Sequence, residues 1–383
     1  VTAPLQPAPP PPPVAPAPTS AVKFPIGWLL EHGNPPLQYR AITEVARSAE
    51  PGHGALATIP LGYRPAMVLA LSQAPDGSWG RTMLGIPGAK VDPADPFEGV
   101  GTISAVRRLL EYGWAADSPP LDRVRRLLFR MLAEDEDPAY LYEFAQAGTG
   151  MTDEDRGRRG RTILREAAAC VLAQAGYESD PRLRGAARRI IERINGYLKS
   201  PLASKPWVRV GNRQVLAPEA TPPSIYALTM LAFMPQFRSE HHEHVERLYL
   251  YLTQPLPRQE SAQLVGSAIV MQPHLILGDL LPHRNVVDAD VPFALMWMET
   301  LARLGFLRRH ETWLRLFERF LDDRDRGGVW HPHKGTAAPK TTNPFAWSTF
   351  PLEERIAGDE KYVDITFRLG LIARILGRPI DLV

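Results

Sequence analysis

One interruption recurs along this chain at nearly constant spacing, and it restricts the possible folds more than any other feature. Stretches of small and apolar residues break at Gly113-Trp114, Gly176-Tyr177, Gln236-Phe237, Gly305-Phe306 and finally Gly377, so the breaks lie 60 to 72 residues apart. A repeat of that length fits one pair of helices per unit. Glycine just past a helix end permits the left-handed cap, and the aromatic residue after it plugs the turn. The first helices of the pairs span 101–112, 162–175, 223–234 and 291–304, where Ala, Leu and Val dominate. The partner helices, 121–134, 181–198, 240–252, 310–321 and 364–376, carry Arg and Glu along one face. A helix apolar nearly all round belongs inside and an amphipathic one outside. The pattern therefore predicts an all-α fold of inner and outer helix pairs, either a closed (α/α) toroid or an open solenoid. Residues 207–216 read as a small β-hairpin around Gly211-Asn212.

Residues 1–20 contain nine Pro and four Ala, which favours extended polyproline II and offers no face for packing. The chain thus divides into a disordered tail, 1–23, and a helical domain, 24–383. That domain has ample material for a core, since 44% of the chain is hydrophobic. With 44 basic against 42 acidic residues the net charge is only +2, which gives no reason to expect nucleic acid as a partner. Seven of the cations are Lys and the rest Arg, a bias that a GC-rich genome explains as readily as phosphate binding. Cys170 is the sole cysteine and lies in an apolar run, which leaves no internal disulfide and no cysteine-rich metal site. There is no run of about 18 apolar residues and no basic-then-apolar opening, so the expectation is a soluble, cytoplasmic protein. Val1 as the first residue is compatible with a leader removed before it.

Asp288 and Asp290 stand one residue apart immediately before the predicted helix 291–304. They read either as helix caps at the positive end of the dipole or as a carboxylate pair sharing one proton. If the helix pairs close into a ring, inner-helix starts point toward one opening and bring Glu98, Thr102, Glu166, Glu219, Tyr226, Asp288 and Asp290 together. Two carboxylates across such a cleft would also suit cleavage of a glycosidic bond. His241, His242 and His244 would fan out around a helix and read as a solvated face, while His331 and His333 follow a Gly-Gly-x-Trp turn and read as a pocket rim. Asp322-Asp323-Arg324-Asp325 reads as surface. Arg158-Arg159-Gly160-Arg161 could grip a diphosphate, but with Asp153, Glu154 and Asp155 beside it the simpler account is a mixed-charge loop.

Two short patterns carry a resemblance. Gln73-Ala74-Pro75-Asp76-Gly77-Ser78-Trp79-Gly80 looks like a Gln...Asp-Gly-x-Trp repeat motif, and Asp325-Arg326-Gly327-Gly328-Val329-Trp330 looks like a degenerate second copy. The opening Trp28 to Arg40 is similar to the start of uncharacterised bacterial proteins related to these. On those residues the chain resembles the squalene/oxidosqualene cyclase and prenyltransferase superfamily as a divergent bacterial member. The resemblance implies a single closed terpenoid cyclase-like toroid over 24–383. It further matches Asp288-Ala289-Asp290-Val291 to the Asp-x-Asp-Asp of class II terpene cyclases. Asp290 would then be the acid that protonates an alkene or epoxide, and Asp288 its partner. Val291 replaces the last Asp of that motif, and Pro292-Phe293 replace the Thr-Ala that follows it. Trp297, Tyr226, Glu98, Glu219, Trp330 and His331 would line a central cavity for a polyprenyl or other apolar, isoprenoid-like molecule, with no metal and no cofactor. The zinc site of protein prenyltransferases has no counterpart, because Cys170 lies in an Ala-rich helix with no His nearby. The alternative is a non-catalytic toroid scaffold that binds another protein through its surface or its Pro-rich tail. Peripheral membrane contact stays open beside both.

Overall fold

The computed structural model describes residues 21–51, 54–80, 82–85, 100–133, 152–281, 290–332, 341, 343–355 and 357–383. The Pro-rich stretch 1–20, Glu98, Asp288 and His333 lie outside the described residues. The described chain is mostly helical. In order it forms β1 (Val22–Phe24), α1 (Ile26–His32), α2 (Pro35–Arg40) continuing into a π-helical turn at Ala41–Ala46, α3 (Arg64–Leu71), α4 (Thr102–Glu111), α5 (Pro119–Arg130), α6 (Asp153–Gln174) and α7 (Pro181–Lys199). Then follow β2 (Trp207–Val210), β3 (Arg213–Leu216), α8 (Ile225–Ala232), α9 (Pro235–Glu240), α10 (His242–Leu252), β4 (Ala262–Val265), β5 (Ala268–Met271), α11 (Val291–Arg303), α12 (Glu311–Asp322), α13 (Val363–Ile375) and β6 (Ile380–Leu382). Among the described residues no helix is long and apolar enough to cross a membrane.

Helix starts follow local chemistry. Asn34, Thr152, Ser224 and Asp290 each accept a hydrogen bond from the backbone N–H three residues on, at 3.0 to 3.1 Å, and satisfy a donor that has no partner within the helix. Proline in the first turn of α2, α5, α7, α9 and α11 removes a donor that the helix could not use.

The helix ends carry the repeat. At Gly113, Gly176, Gly305 and Gly377 the backbone is left-handed, with φ between +75° and +88°. In each case the glycine N–H and the next N–H turn back onto carbonyls of the last helical turn, as in Gly113 to Leu110 at 2.9 Å and Trp114 to Leu109 at 3.1 Å. The fifth break differs. Helix α8 ends at Ala232 without glycine, and the expected break at Gln236-Phe237 lies inside α9. Arg238 supplies what the glycine cap would have supplied: its guanidinium donates to the carbonyls of Leu231 and Ala232, and also to Arg303 of α11 at 2.7 Å. Phe237 is nonetheless buried like Trp114 and Phe306, so the aromatic plug persists.

Side-by-side packing runs α4 on α6, α6 on α8, α8 on α11, α11 on α13, and α13 on the turn at Ala41–Ala46. All eight residues of α8 are buried, as are the whole stretch from Val363 to Ala373 in α13 and nearly all of Val291 to Ala302 in α11. By contrast α5, α7, α10 and α12 bury one face each. This corrects the placing of 364–376 among the outer, charged helices: α13 belongs to the buried set, and its Arg368 points into the core.

The expectation of a strictly all-α chain is also corrected. The hairpin at 207–216 exists as β2–β3, but Leu216 pairs in parallel with Gln263 and adds a second hairpin, β4–β5, giving the order β2-β3-β4-β5. A separate parallel pair joins β1 to β6, with Val22 opposite Ile380 and Phe24 opposite Leu382. The tail boundary drawn after residue 23 therefore falls inside a strand.

The two tryptophan turns are one structure used twice. Ala74 N–H donates to Ser78 O and Gly77 N–H to Ala74 O; Asp325 N–H donates to Val329 O and Gly328 N–H to Asp325 O. Gly77 and Gly328 have φ of +92° and +93°, a region costly to any residue with a Cβ. The N–H of Trp79 then donates to the hydroxyl of Thr102 and that of Trp330 to the hydroxyl of Thr366, at 3.0 and 3.1 Å, so each turn is fastened to the start of α4 or α13. The aspartates do not coincide. Asp76 caps Ser78, whereas Asp325 occupies the place of Ala74 and caps both Gly327 and Val329.

Candidate functional site

The ends of α2, α4 and α6 meet the middle of α11 and α13 around charge, and a cleft of about 450 Å³ opens beside Arg40, Glu111 and Gln174. Arg40 at the end of α2 donates to the Glu111 carboxylate of α4 at 2.6 Å, Arg368 of α13 lies 3.1 Å from the same oxygen, and the other arm of Arg368 meets Glu299 of α11. Gln174 of α6 donates to the second Glu111 oxygen at 3.0 Å. Each of the four charged residues is at most 6% exposed. Burial alone would raise the Glu111 carboxyl, but Arg40 and Arg368 outweigh it and hold the group at about 2. Glu299 is held down in the same way by Arg368 and Arg303 against its burial. Charges so desolvated persist only because each meets its opposite.

Beside that cluster runs the segment 343–355, pinned from all sides. Arg108 of α4 donates to the carbonyls of Trp347 and Pro351, Arg368 to Thr349 O, and Asn34 and Tyr63 both to Leu352 O. Asp364 at the start of α13 accepts from Leu352 N–H and Glu353 N–H. Burial pushes the Asp364 carboxyl up to about 6, against the pull of those donors and of Arg368. Ala346 and Leu352 have no exposed surface. A backbone stretch thus occupies the interior between α2, α4, α8 and α13.

Against this background the expected site residues separate into different neighbourhoods. Asp290 is the N-cap of α11: one oxygen accepts from Phe293 N–H at 3.0 Å and the other from the Thr341 hydroxyl at 2.9 Å. Trp297 is buried in the main core. Tyr226 stacks on His274 and meets the edge of Phe345. Glu219 is exposed on the loop after β3. Trp330 and His331 pack against Tyr362 ahead of α13, with His331 also 3.2 Å from Asp325. His241 stacks on Phe237, and among the described residues no group of three or more His, Cys, Asp or Glu side chains is placed to hold a metal.

The expected meeting of Thr102, Glu166, Glu219, Tyr226 and Asp290 in one opening is not found; Glu166 alone of them lines the space between α6, α7, the loop before α8 and the β4–β5 hairpin. A cavity of about 240 Å³ opens there, lined by Glu166, Arg159, Arg193, Gln272 and His274 among others. Glu166 is buried and doubly engaged, by Arg193 and by the hydroxyl of Ser224, which in turn caps α8. Arg159 donates to Gln272 Oε1 at 2.9 Å and Met271 O at 3.3 Å. The imidazole of His274 is driven down to about 3, first by burial and then by Arg159 and Arg193, so it is neutral at ordinary pH.

Of this set only Glu166 was named from sequence as a converging residue. Arg159 was read as part of a mixed-charge loop, which the structure corrects: α6 begins at Asp153, and the arginine run is its first turns. Arg193 looks like any charge on an outer helix until Glu166 is seen beneath it. His274 sits in irregular chain after β5, where no periodicity signals burial. No protein-family model matches this chain, and neither does any curated protein or any solved structure.

Proposed function

We propose that this chain is a non-catalytic binding protein on a closed ring of helix pairs, with α2, α4, α6, α8, α11 and α13 as its inner wall. Closure is supported by the packing of α13 on Ala41–Ala46 and by the Arg40–Glu111 pair that returns to α4. The observation that carries the reading is the charged character of the interior where these helices meet. Where a terpene cyclase-like enzyme would need an apolar cavity for an isoprenoid, this chain holds the Arg40–Glu111–Arg368–Glu299 cluster and the 343–355 segment. A carbocation forming there would lie beside two buried arginines rather than aromatic faces alone, which is electrostatically unfavourable. Asp290, whose two oxygens cap a helix and meet a threonine, serves architecture in this reading.

As a scaffold the ring has one markedly cationic outer face. Helix α5 carries four Arg and one Asp, and α7 carries five Arg, one Lys and one Glu, in a chain whose net charge is only +2. Arg182 stacks 3.8 Å above Phe129 between them. That surface suits an acidic protein partner, met with an affinity that salt weakens.

The test is incubation of the full chain with linear isoprenoid alcohols and diphosphates of increasing length, beside Asp290→Asn. Absence of any cyclic product is the expected result. A cyclic product formed by the wild type and lost in Asp290→Asn would overturn the reading and reinstate Asp290 as an acid.

A further inference from the structure

The cavity beside α6 contains two polar groups that the fold leaves unanswered. His274 is only 9% exposed, yet neither ring nitrogen meets a hydrogen-bond partner among the described residues. The Nε of Arg159 is buried and also has no partner. Buried donors are nearly always satisfied, so the unpartnered Arg159 nitrogen, with an imidazole beside it whose nitrogens no described protein group engages, points to this wall as a place where a ligand can supply acceptor atoms.

Charge bookkeeping around the cavity gives the sign of that ligand. Arg158 pairs with Asp155 at 3.0 Å, and Arg193 pairs with Glu166, whose second oxygen takes the Ser224 hydroxyl. Arg159 contacts only neutral acceptors, Gln272 and the Met271 carbonyl, and has no carboxylate partner among the described residues. One cation therefore stays uncompensated, and its desolvation is visible as a lowered guanidinium pKa. Beside it the neutral imidazole of His274 can donate one N–H. Ile163, Val265 and Leu275 give the wall an apolar part, beside the polar Thr162, Thr221 and Gln263. A volume of about 240 Å³ corresponds to about eight waters, the size of a small aromatic acid rather than of a bare ion.

We propose that this cavity binds a small organic oxyanion with an apolar body, a carboxylate or a phosphate monoester. Its charged end is taken by the Arg159 guanidinium and a nitrogen of His274, and its body lies on Ile163, Val265 and Leu275. Charge-assisted hydrogen bonds in a desolvated pocket make the anionic end decisive, and the apolar wall excludes inorganic anions of the same charge. Gln272 Oε1 and the Met271 carbonyl hold one arm of the Arg159 guanidinium in place at the cavity wall. The site does not depend on whether the ring is catalytic.

Calorimetric titration of the full chain with benzoate, phenyl phosphate, inorganic phosphate and benzyl alcohol tests the assignment. Saturable binding of benzoate or phenyl phosphate is expected, with benzyl alcohol and inorganic phosphate at least tenfold weaker; the tighter of the two organic anions identifies the head group. Arg159→Gln should weaken that binding tenfold or more, and His274→Leu should weaken it more than His274→Gln. Should Arg159→Gln fail to fold, Val265→Trp on the hairpin should abolish binding by filling the space of the body. Equal binding of benzyl alcohol, an unaffected Arg159→Gln, or no binding of either organic anion at millimolar concentration overturns the proposal. None of these outcomes bears on isoprenoid turnover, so the two readings fail separately.

Discussion

Arg368 of α13 lies 3.1 Å from the Glu111 carboxylate of α4, and this single contact joins helices from distant parts of the chain through a buried charge pair. Removing one partner of such a pair leaves the other desolvated and alone. Arg368→Met should therefore cost about 3–5 kcal/mol, read as a lowered urea midpoint at neutral pH. A loss under about 1 kcal/mol would mean that water reaches the cluster and that the interior is not closed.

Asp290→Ala removes both the α11 cap and the acceptor for Thr341, and should destabilise the fold by about 0.5–2 kcal/mol. Asn at the same position retains a capping oxygen and should recover most of that stability. Thermal melting of the two variants decides; an Asn variant as unstable as Ala would show that the charge, and not the cap, is what the position requires.

Two helix ends solve one problem by different means, which allows a paired test. Gly305→Ala meets no atom within 4 Å, so its cost is the left-handed backbone alone, about 1–2 kcal/mol. Arg238→Ala frees three carbonyls, of Leu231, Ala232 and Arg303, and should cost about 1–3 kcal/mol. If Arg238→Ala proves neutral in chemical denaturation, the α8 end is hydrated and the equivalence with the glycine caps fails.

The acid dependence of stability has two opposing components. His274 is held at about 3, below its ordinary 6.5, so the unfolded chain takes the proton first. Its contribution is complete above pH 6.5 and is lost as the pH falls toward 3, with a slope of up to about 1.4 kcal/mol per pH unit. Asp364, pushed up to about 6 from 3.8, acts in the other sense: its contribution is complete below 3.8 and is lost as pH rises through 6. Relative to His274→Gln the wild type should lose stability on acidification from pH 7 to 4; relative to Asp364→Asn it should lose stability on alkalinisation over the same range. Melting curves that run parallel to wild type at every pH would remove both assignments.

How far the sequence could be read depends on whether the controlling interaction was local. The four glycine caps announce themselves because a positive φ just past a helix end demands a particular residue type, and the helices they end match the expected bounds within a residue or two except α6, whose start at Asp153 lies nine residues before the expected 162. The second tryptophan turn was recognisable although its aspartate had moved, because the glycine and tryptophan carry the geometry. Helix α13 was misplaced because Arg368 and Asp364 look like surface charges until their partners, Glu299 and Glu111 or the backbone of 352–353, are known. The β4–β5 hairpin is short, four residues a side around Gly266-Ser267, and the strand it docks on, β3, is far away in the chain, so nothing local announces its place in a sheet. The cavity was the least legible element. Glu166 was among the residues expected at a common opening, but Arg193 and His274 come from separate segments, and their meeting is a product of tertiary packing.

The parallel ribbon that Val22–Phe24 forms with Ile380–Leu382 has a consequence for how the molecule is made. Its first strand is synthesised more than 350 residues before the one it pairs with and must wait for it. A pairing across so long a loop is costly to close in entropy and forms late in folding.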